Sequence, residues 1–297
     1  MQRITPERPW PLFDTAASRA VEQAAAAALA PHTLMRRAGL AVARLALALS
    51  PHAQTIWIAC GPGNNGGDGF EAAMHLKMWG KSPVLTWAGD EARTPPDALA
   101  ALQRARAAGV VIDACPPAQW DFAIDAMLGL GAGRPLARSM LEWASLMKSG
   151  RARVLAVDVP SGLDAGTGTG DAVPANDTLS LLTLKPGLFT AGGRDAAGQV
   201  WFDDLDVAPS TTAPTAWLAG PPSAAARRHA SHKGSFGDVA VIGGAPGMAG
   251  AALLAASAAL HGGAGRVFAA LLNGDALTVD PSRPELMLRQ WDSLDLT

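Results

Sequence analysis

Cysteine is scarce: Cys60 and Cys115 are the only two, far apart and outside any CxxC or clustered Cys/His spacing. Their scarcity excludes a disulfide framework and a zinc site of the usual spacing, and it points to a reducing, cytoplasmic setting. Excess charge is lacking too. A formal net charge of -2, a pI near 6.3 and no long basic run give nucleic acid no broad electrostatic hold. Nor is any apolar run long enough to span a bilayer, because the Ala-rich stretches carry charges. Met1 to Phe13 sets Arg3, Glu7 and Arg8 among three prolines where a signal peptide would have its apolar core. No internal repeat occurs. What is present is 49% hydrophobic against 17% charged residues over 297 positions, enough for a full core and a second unit.

Periodicity organises the first two-thirds. An Ala-rich helix is expected over Asp14–Ala30, stopped by Pro31, and a second over Thr33–Leu49 with Leu34, Ala38, Val42, Leu45 and Leu49 on one stripe. Gln54–Cys60, Pro83–Trp87, Phe122–Ala126 and Val154–Val157 read as short buried strands. Helical patterns at Gly69–Trp79, Asp97–Ala108 and Arg138–Lys148 lie between them. That alternation implies a parallel sheet with helices on both faces. Thr178–Leu184 and Gln199–Phe202 add strands, and the Pro/Ala/Ser/Thr-rich stretch from Pro209 to Ala226 marks a domain boundary. A second α/β pattern follows, with strands at Val239–Ile242 and Arg266–Ala270 around an Ala/Leu helix to Leu260. At roughly seventy residues it is too short for a complete doubly wound domain.

Three loops at strand ends hold the chemistry-bearing residues: Gly61–Gly69, Asp125–Pro135 and Asp158–Gly170. In an open parallel sheet such loops can meet around a ligand. The first, Cys60-Gly61-Pro62-Gly63-Asn64-Asn65-Gly66-Gly67-Asp68-Gly69-Phe70, matches neither the Walker lysine motif nor the dinucleotide fingerprint. Its glycines and the following helix N-terminus suit an anion such as phosphate; a tight strand-to-helix turn, with Asp68 as a helix N-cap, is the plainer alternative. Asp125 and Asp158 each stand at a strand end beside Gly-rich sequence, where a capping role competes with a chemical one. With Asn65 and Ser161 they make a set of hard oxygen donors for a cation, and one carboxyl near a substrate can move protons. Lys185 is either a solvated turn residue or a cation directed at the ligand. The Gly-rich turn at 243–250 lacks a Walker lysine, and the scattered histidines and tryptophans read as surface or packing residues.

Taken in order, GPGNNGGDGF at 61–70 with its preceding Cys60, DAMLGLGAGRP at 125–135, DVPSGLDAGTG at 158–168 and TLKPGLF at 183–189 resemble the NAD(P)H-hydrate epimerase family. The stretch at 232–267, HKGSFGDVAVIGGAPGMAGAALLAASAALHGGAGRV, with RPELM at 283–287, resembles the start of the ADP-dependent NAD(P)H-hydrate dehydratase domain fused to that epimerase in many bacteria. The two resemblances span nearly the whole chain. They imply an α/β protein: a Rossmann-like three-layer α/β/α epimerase domain over 1–220, then an incomplete ribokinase-like α/β segment over 221–297.

The implied activity is repair of nicotinamide coenzymes hydrated at C6, by interconversion of their R and S forms. A dehydratase would then remove water from the S form at the expense of ADP or ATP. By the family pattern, Asn64, Asn65, Gly66, Gly67, Asp68, Gly129, Leu130, Gly131, Ala132, Gly133, Arg134, Pro135 and Asp158 would bind the hydrated dinucleotide. Asn65, Asp125 and Ser161 would hold potassium, Ala251 would be a substrate-contacting position, and the epimerase would form a homodimer. Asp158 is the expected acid/base. After Leu288 nothing corresponds to the family's later nucleotide-binding stretch and catalytic Asp, so dehydratase activity is expected to be lacking in this chain. The competing expectations are a non-catalytic dinucleotide-binding or scaffold protein and a sugar- or vitamin-kinase-like enzyme; the missing phosphate-transfer half counts against the latter.

Overall fold

The computed structural model describes residues 1–131, 136–222, 226–272 and 278–291. The chain divides into two compact units, Met1–Pro222 and Ser223–Thr297.

In the first unit the strands are β1 (Gln2–Arg3), β2 (Trp10–Leu12), β3 (Thr55–Cys60), β4 (Ser82–Trp87), β5 (Val111–Asp113), β6 (Phe122–Ala126), β7 (Arg153–Val157), β8 (Asp177–Leu181), β9 (Gln199–Asp203) and β10 (Ala216–Leu218). Its helices are α1 (Thr15–Ala28), α2 (Thr33–Leu49), α3 (Asn64–Met78), α4 (Pro96–Ala107), α5 (Arg138–Ser149) and the single turn α6 (Gly193–Ala196). Eight strands form one sheet in the order β1-β9-β8-β7-β6-β3-β4-β5. All pairings in it are parallel except β1 with β9, and β2 pairs separately with β10.

Side chains alternate across β3 and sort the layers. Ile56, Ile58 and Cys60 pack with α2, α3 and α4 on one face, whereas Trp57 and Ala59 join Met140, Trp143 and Met147 of α5 on the other. With both faces covered, the central strands carry apolar residues at nearly every position, as parallel sheets require. Trp57 keeps its indole N–H satisfied inside this core by donating to Thr86 Oγ1 at 2.9 Å.

Some boundaries differ from the sequence expectation for local reasons. Asp14 lies outside α1 as its N-cap, its carboxylate accepting from Ala17 N–H at 2.8 Å. β8 stops at Leu181 because Leu182 turns to φ +60°, which breaks the strand expected to continue to Leu184. The largest shift is at α3. It begins at Asn64, inside the stretch expected to be a loop, five residues before the expected Gly69. The two- and three-residue strands β1, β2, β5 and β10 were not expected.

The second unit holds β11 (Asp238–Gly243), α7 (Ala249–His261), β12 (Arg266–Leu271) and β13 (Met287–Gln290). The strands form a parallel sheet in that order, with α7 packed against β11 and β12. Among the described residues no helix is long and apolar enough to cross a membrane.

Candidate active site

Topology fixes where a ligand would gather. From β3 the chain runs outward through β4 to β5 and returns to the other side of β3 as β6. Where strand order reverses in this way, the loops at the carboxyl ends diverge and leave a crevice. A cavity of about 620 Å³ lies among the segments that follow β3, β6, β7 and β8, walled further by α1 and α2. That volume is within the range of small-molecule and cofactor sites.

The motif between β3 and α3 divides into two kinds of position. A Cβ on Gly61 would stand 1.7 Å from Met127 O, and one on Gly66 would stand 2.1 Å from Gly61 O. At Gly67 it would meet Met35 and Ala98 below 3 Å, and at Gly69 it would meet Cys60 Sγ at 2.7 Å. These glycines let the start of α3 press against the sheet, α2 and α4. The remaining positions Asn64, Asn65 and Asp68, one helical turn apart, line the cavity. Gly63 at the N-cap offers no side chain, and among the described residues the N–H groups of Asn64, Asn65 and Gly66 have no carbonyl partner. The positive end of a 15-residue helix is therefore presented at the cavity wall, the arrangement that binds anions. Cys60, beneath it, is fully buried, and burial pushes its thiol well above the usual range, which keeps it unreactive.

β7 and β8, neighbours in the sheet, end in matching three-residue turns. Val159 N–H donates to Val157 O at 2.8 Å around Asp158, and Thr183 N–H to Leu181 O at 2.6 Å around Leu182. The central residues take φ +66° and +60°, a left-handed conformation that costs a non-glycine residue roughly 1–3 kcal/mol. Together the turns surround Lys185, which is only 1% exposed. Its ammonium pairs with Asp158 Oδ1 and donates to Leu181 O and Thr183 O, each at 2.9 Å, and to Ser180 Oγ at 3.3 Å. Asp158 Oδ1 also accepts from Leu181 N–H at 3.2 Å. Its other oxygen, Oδ2, faces Gly129, where an added Cβ would lie 3.4 Å from it and 3.1 Å from Asn65 Oδ1. One carboxylate oxygen is thus anchored and the other is left for chemistry.

Behind the loop after β6, Asp125 is fully buried. Its Oδ1 accepts from Ser161 Oγ at 2.6 Å and Met127 N–H at 3.2 Å, and its Oδ2 from Ser161 N–H at 2.8 Å. Burial nevertheless lifts its carboxyl pKa to about 6. Ser161 Oγ in turn accepts from Leu128 N–H at 2.8 Å. Asp125 has no ion-pair partner among the described residues, and Asn65 Nδ2 is buried without a hydrogen-bond partner. No group of three or more His, Cys, Asp or Glu side chains is placed to hold a metal among the described residues; the set expected from sequence mixes one carboxylate with an amide and a hydroxyl.

Of the expected ligand-binding residues, Asn64, Asn65, Asp68, Gly129, Leu130, Gly131 and Asp158 line one cavity. Gly66 and Gly67 do not; their Cα atoms face the protein, where close approach leaves no room for a side chain. Asp68 is the fifth residue of α3 and not its N-cap. Ala132, Gly133, Arg134 and Pro135 lie outside the described residues. Ala251 belongs to the second unit, exposed on α7. Lys185 is not a solvated turn residue, and Glu22 of α1, which also lines the cavity, gave no signal in the sequence.

Residues 31–187 match the family model described as YjeF-related protein N-terminus. The bifunctional NAD(P)H-hydrate repair enzyme Nnr of Escherichia coli is 34% identical over 284 residues, covering 90% of this chain and 54% of that enzyme. The enzyme of the same name from Coxiella burnetii is 34% identical over 90% of this chain and 57% of its own length. The chain therefore spans little more than half the length of these relatives. The crystal structure of yeast ynu0 superposes with a TM-score of 0.54 at 22% identity, over 59% of this chain and 82% of that one, and so shares the fold over that part of the chain. With more than half of its length matched by the family model, the chain belongs to the YjeF-related protein N-terminus family.

Proposed function

We propose that the cavity of the first unit binds NADH or NADPH hydrated at C6 of the nicotinamide ring and exchanges the R and S forms. The observation that carries this reading is Asp158, held at Oδ1 by Lys185 and with Oδ2 directed over Gly129 beside Asn65. A fixed carboxylate oxygen facing a ligand-sized cavity can take and return a proton at the C6 hydroxyl, assisting departure of water and its return to the opposite face. Support for a dinucleotide comes from the N-terminus of α3, whose unpaired N–H groups suit a pyrophosphate. The repair-enzyme names of the relatives point to the same substrate.

Potassium fits the residues present. Asp125 is buried without a cation, and its carboxylate and the Asn65 Oδ1 that faces Gly129 are hard oxygen donors. Asn65, Asp125 and Ser161 would hold it; Ser161, already bonded to Asp125 and Leu128, also fixes the direction of the carboxylate. When bound, the ion supplies a positive charge against a buried carboxylate.

The test is R-to-S exchange followed by chromatography, with hydrated NADH and hydrated NADPH, in potassium and in choline buffers. The expected result is exchange far above the spontaneous rate and faster with potassium; dinucleotide binding without acceleration would make the protein a binding module. Conversion of the S hydrate with ADP or ATP is assayed separately. A second expectation concerns Gly129→Ala, whose methyl would crowd Asn65 Oδ1 and Asp158 Oδ2. Overpacking of ~1–3 kcal/mol translates to about 5- to 150-fold weaker binding. Calorimetric titration with NADPH measures it, and unchanged affinity would remove Gly129 from the site.

A further inference from the structure

The cavity contains a second carboxyl whose surroundings are the reverse of those of Asp158. Asp68 projects from the first turns of α3 on the same face as Asn64 and Asn65, and Asp158 follows β7; the loop after β6, with Gly129, runs between the segments that carry them. Asp158 is held by an ammonium and a backbone N–H. The Asp68 carboxyl accepts no hydrogen bond among the described residues. The charged groups acting on it are Asp158 after β7, Glu22 on α1, Glu71 one turn further along α3, and, in the opposite sense, Lys185. Three carboxylates oppose its ionisation and one ammonium favours it.

Resting on the reading of the cavity as an epimerase site, we propose that Asp68 is the second catalytic residue, a neutral acid working with the Asp158 carboxylate across the reacting carbon. Asp68 gives its proton to the C6 hydroxyl; the C6–O bond breaks, water leaves, and the ring nitrogen lone pair forms the N1=C6 double bond. Water then adds to C6 from the side of Asp158, the electron pair returns to nitrogen, and Asp158 takes the proton released by the incoming water. The centre is inverted, with Asp68 left as carboxylate and Asp158 as acid. The opposite epimer is processed by the same steps in reverse, which returns both protons to their starting places. A single carboxyl would have to reach both faces of C6; two on separate strand-end segments need not move.

Burial, followed by Asp158, Glu22 and Glu71, raises the Asp68 carboxyl well above its ordinary range, while Lys185 lowers it by less. A carboxyl held in its acid form, in one cavity with a carboxyl anchored by an ammonium, is the arrangement of an acid/base pair. A group whose pKa is raised by folding weakens the folded state as pH climbs above the unfolded value of 3.8, so Asp68→Asn has a stability signature of its own.

The experiment compares full-length wild type, Asp68→Asn and Asp68→Glu by epimer exchange, by exchange in ¹⁸O-labelled water and by melting temperature from pH 4 to pH 9. Asp68→Asn is expected to lower kcat about 10²- to 10³-fold with little change in KM, and Asp68→Glu to recover part of the loss. Wild-type product should gain one solvent oxygen per inversion. Asp68→Asn should melt above wild type, by a margin that widens with pH. Wild-type kcat in Asp68→Asn would overturn the proposal, as would inversion without solvent oxygen, or a lost rate accompanied by a lower melting temperature at high pH. If wild type does not accelerate exchange at all, the epimerase reading itself falls and this role falls with it. Acceleration that survives in Asp68→Asn sinks the Asp68 role alone.

Discussion

Asp158→Asn is expected to fold and to exchange epimers about 10²- to 10⁴-fold more slowly, the range for loss of one positioned acid/base group. The substitution keeps the shape of the side chain but leaves the buried Lys185 ammonium without its counter-ion, so a loss of stability accompanies the loss of rate. Asparagine tolerates the left-handed φ of +66° nearly as well as aspartate, and its amide oxygen can still accept from Lys185 and Leu181 N–H at the anchored position. What is lost is the charge and basicity of Oδ2 beside Gly129. Chromatographic exchange rates on a protein with a normal far-UV spectrum decide the matter. A wild-type rate would remove Asp158 from the chemistry and leave it as a structural partner of Lys185.

Lys185→Met is expected to have the largest effect on stability. It removes the cation facing the buried Asp158 and leaves Leu181 O and Thr183 O without their donor, in two turns already strained at Asp158 and Leu182. Removing one partner of a buried ion pair costs about 3–5 kcal/mol. For a unit of this size that lowers the melting temperature by roughly 6–20 °C. The ion pair makes the two positions non-additive: Lys185→Met with Asp158→Asn should cost less than the two single losses together, because the double variant buries no unpaired charge. Denaturant unfolding of the four proteins measures the coupling, and strict additivity would show that the pair does not contribute as a unit.

The sheet was legible because its central strands are buried on both faces, so β3, β6 and β7 stand out as short continuous apolar runs. The short strands β1, β2, β5 and β10 were not legible. Their pairing depends on partners distant in sequence, such as Leu12 with Ala216, and two or three residues carry no period. The start of α3 was misread as loop because asparagine and glycine are poor helix formers; packing of Gly67 and Gly69 against Met35, Ala98 and Cys60 overrides that propensity. The gathering of the loops after β3, β6 and β7 could be anticipated from strand order. The role of Lys185 could not, since its oxygens are brought together by two backbone turns on neighbouring strands, and nothing in the chain near residue 185 announces a buried lysine.

The division of labour in the first turns of α3 has a consequence for how this cavity can change over generations. Positions 61, 66, 67 and 69 are closed to variation, because even a methyl group there meets backbone or packed side chains. Positions 64, 65 and 68 contact the ligand space without supporting the core. Substitutions at those three sites would act on ligand contact at 64, on the proposed cation site at 65 and on the proposed proton transfer at 68 while sparing foldability, whereas substitutions spread evenly over the motif would mostly give chains that never reach the native state. Specificity is therefore open to change at position 64, beside two positions tied to the chemistry, on one face of a helix whose other face is frozen.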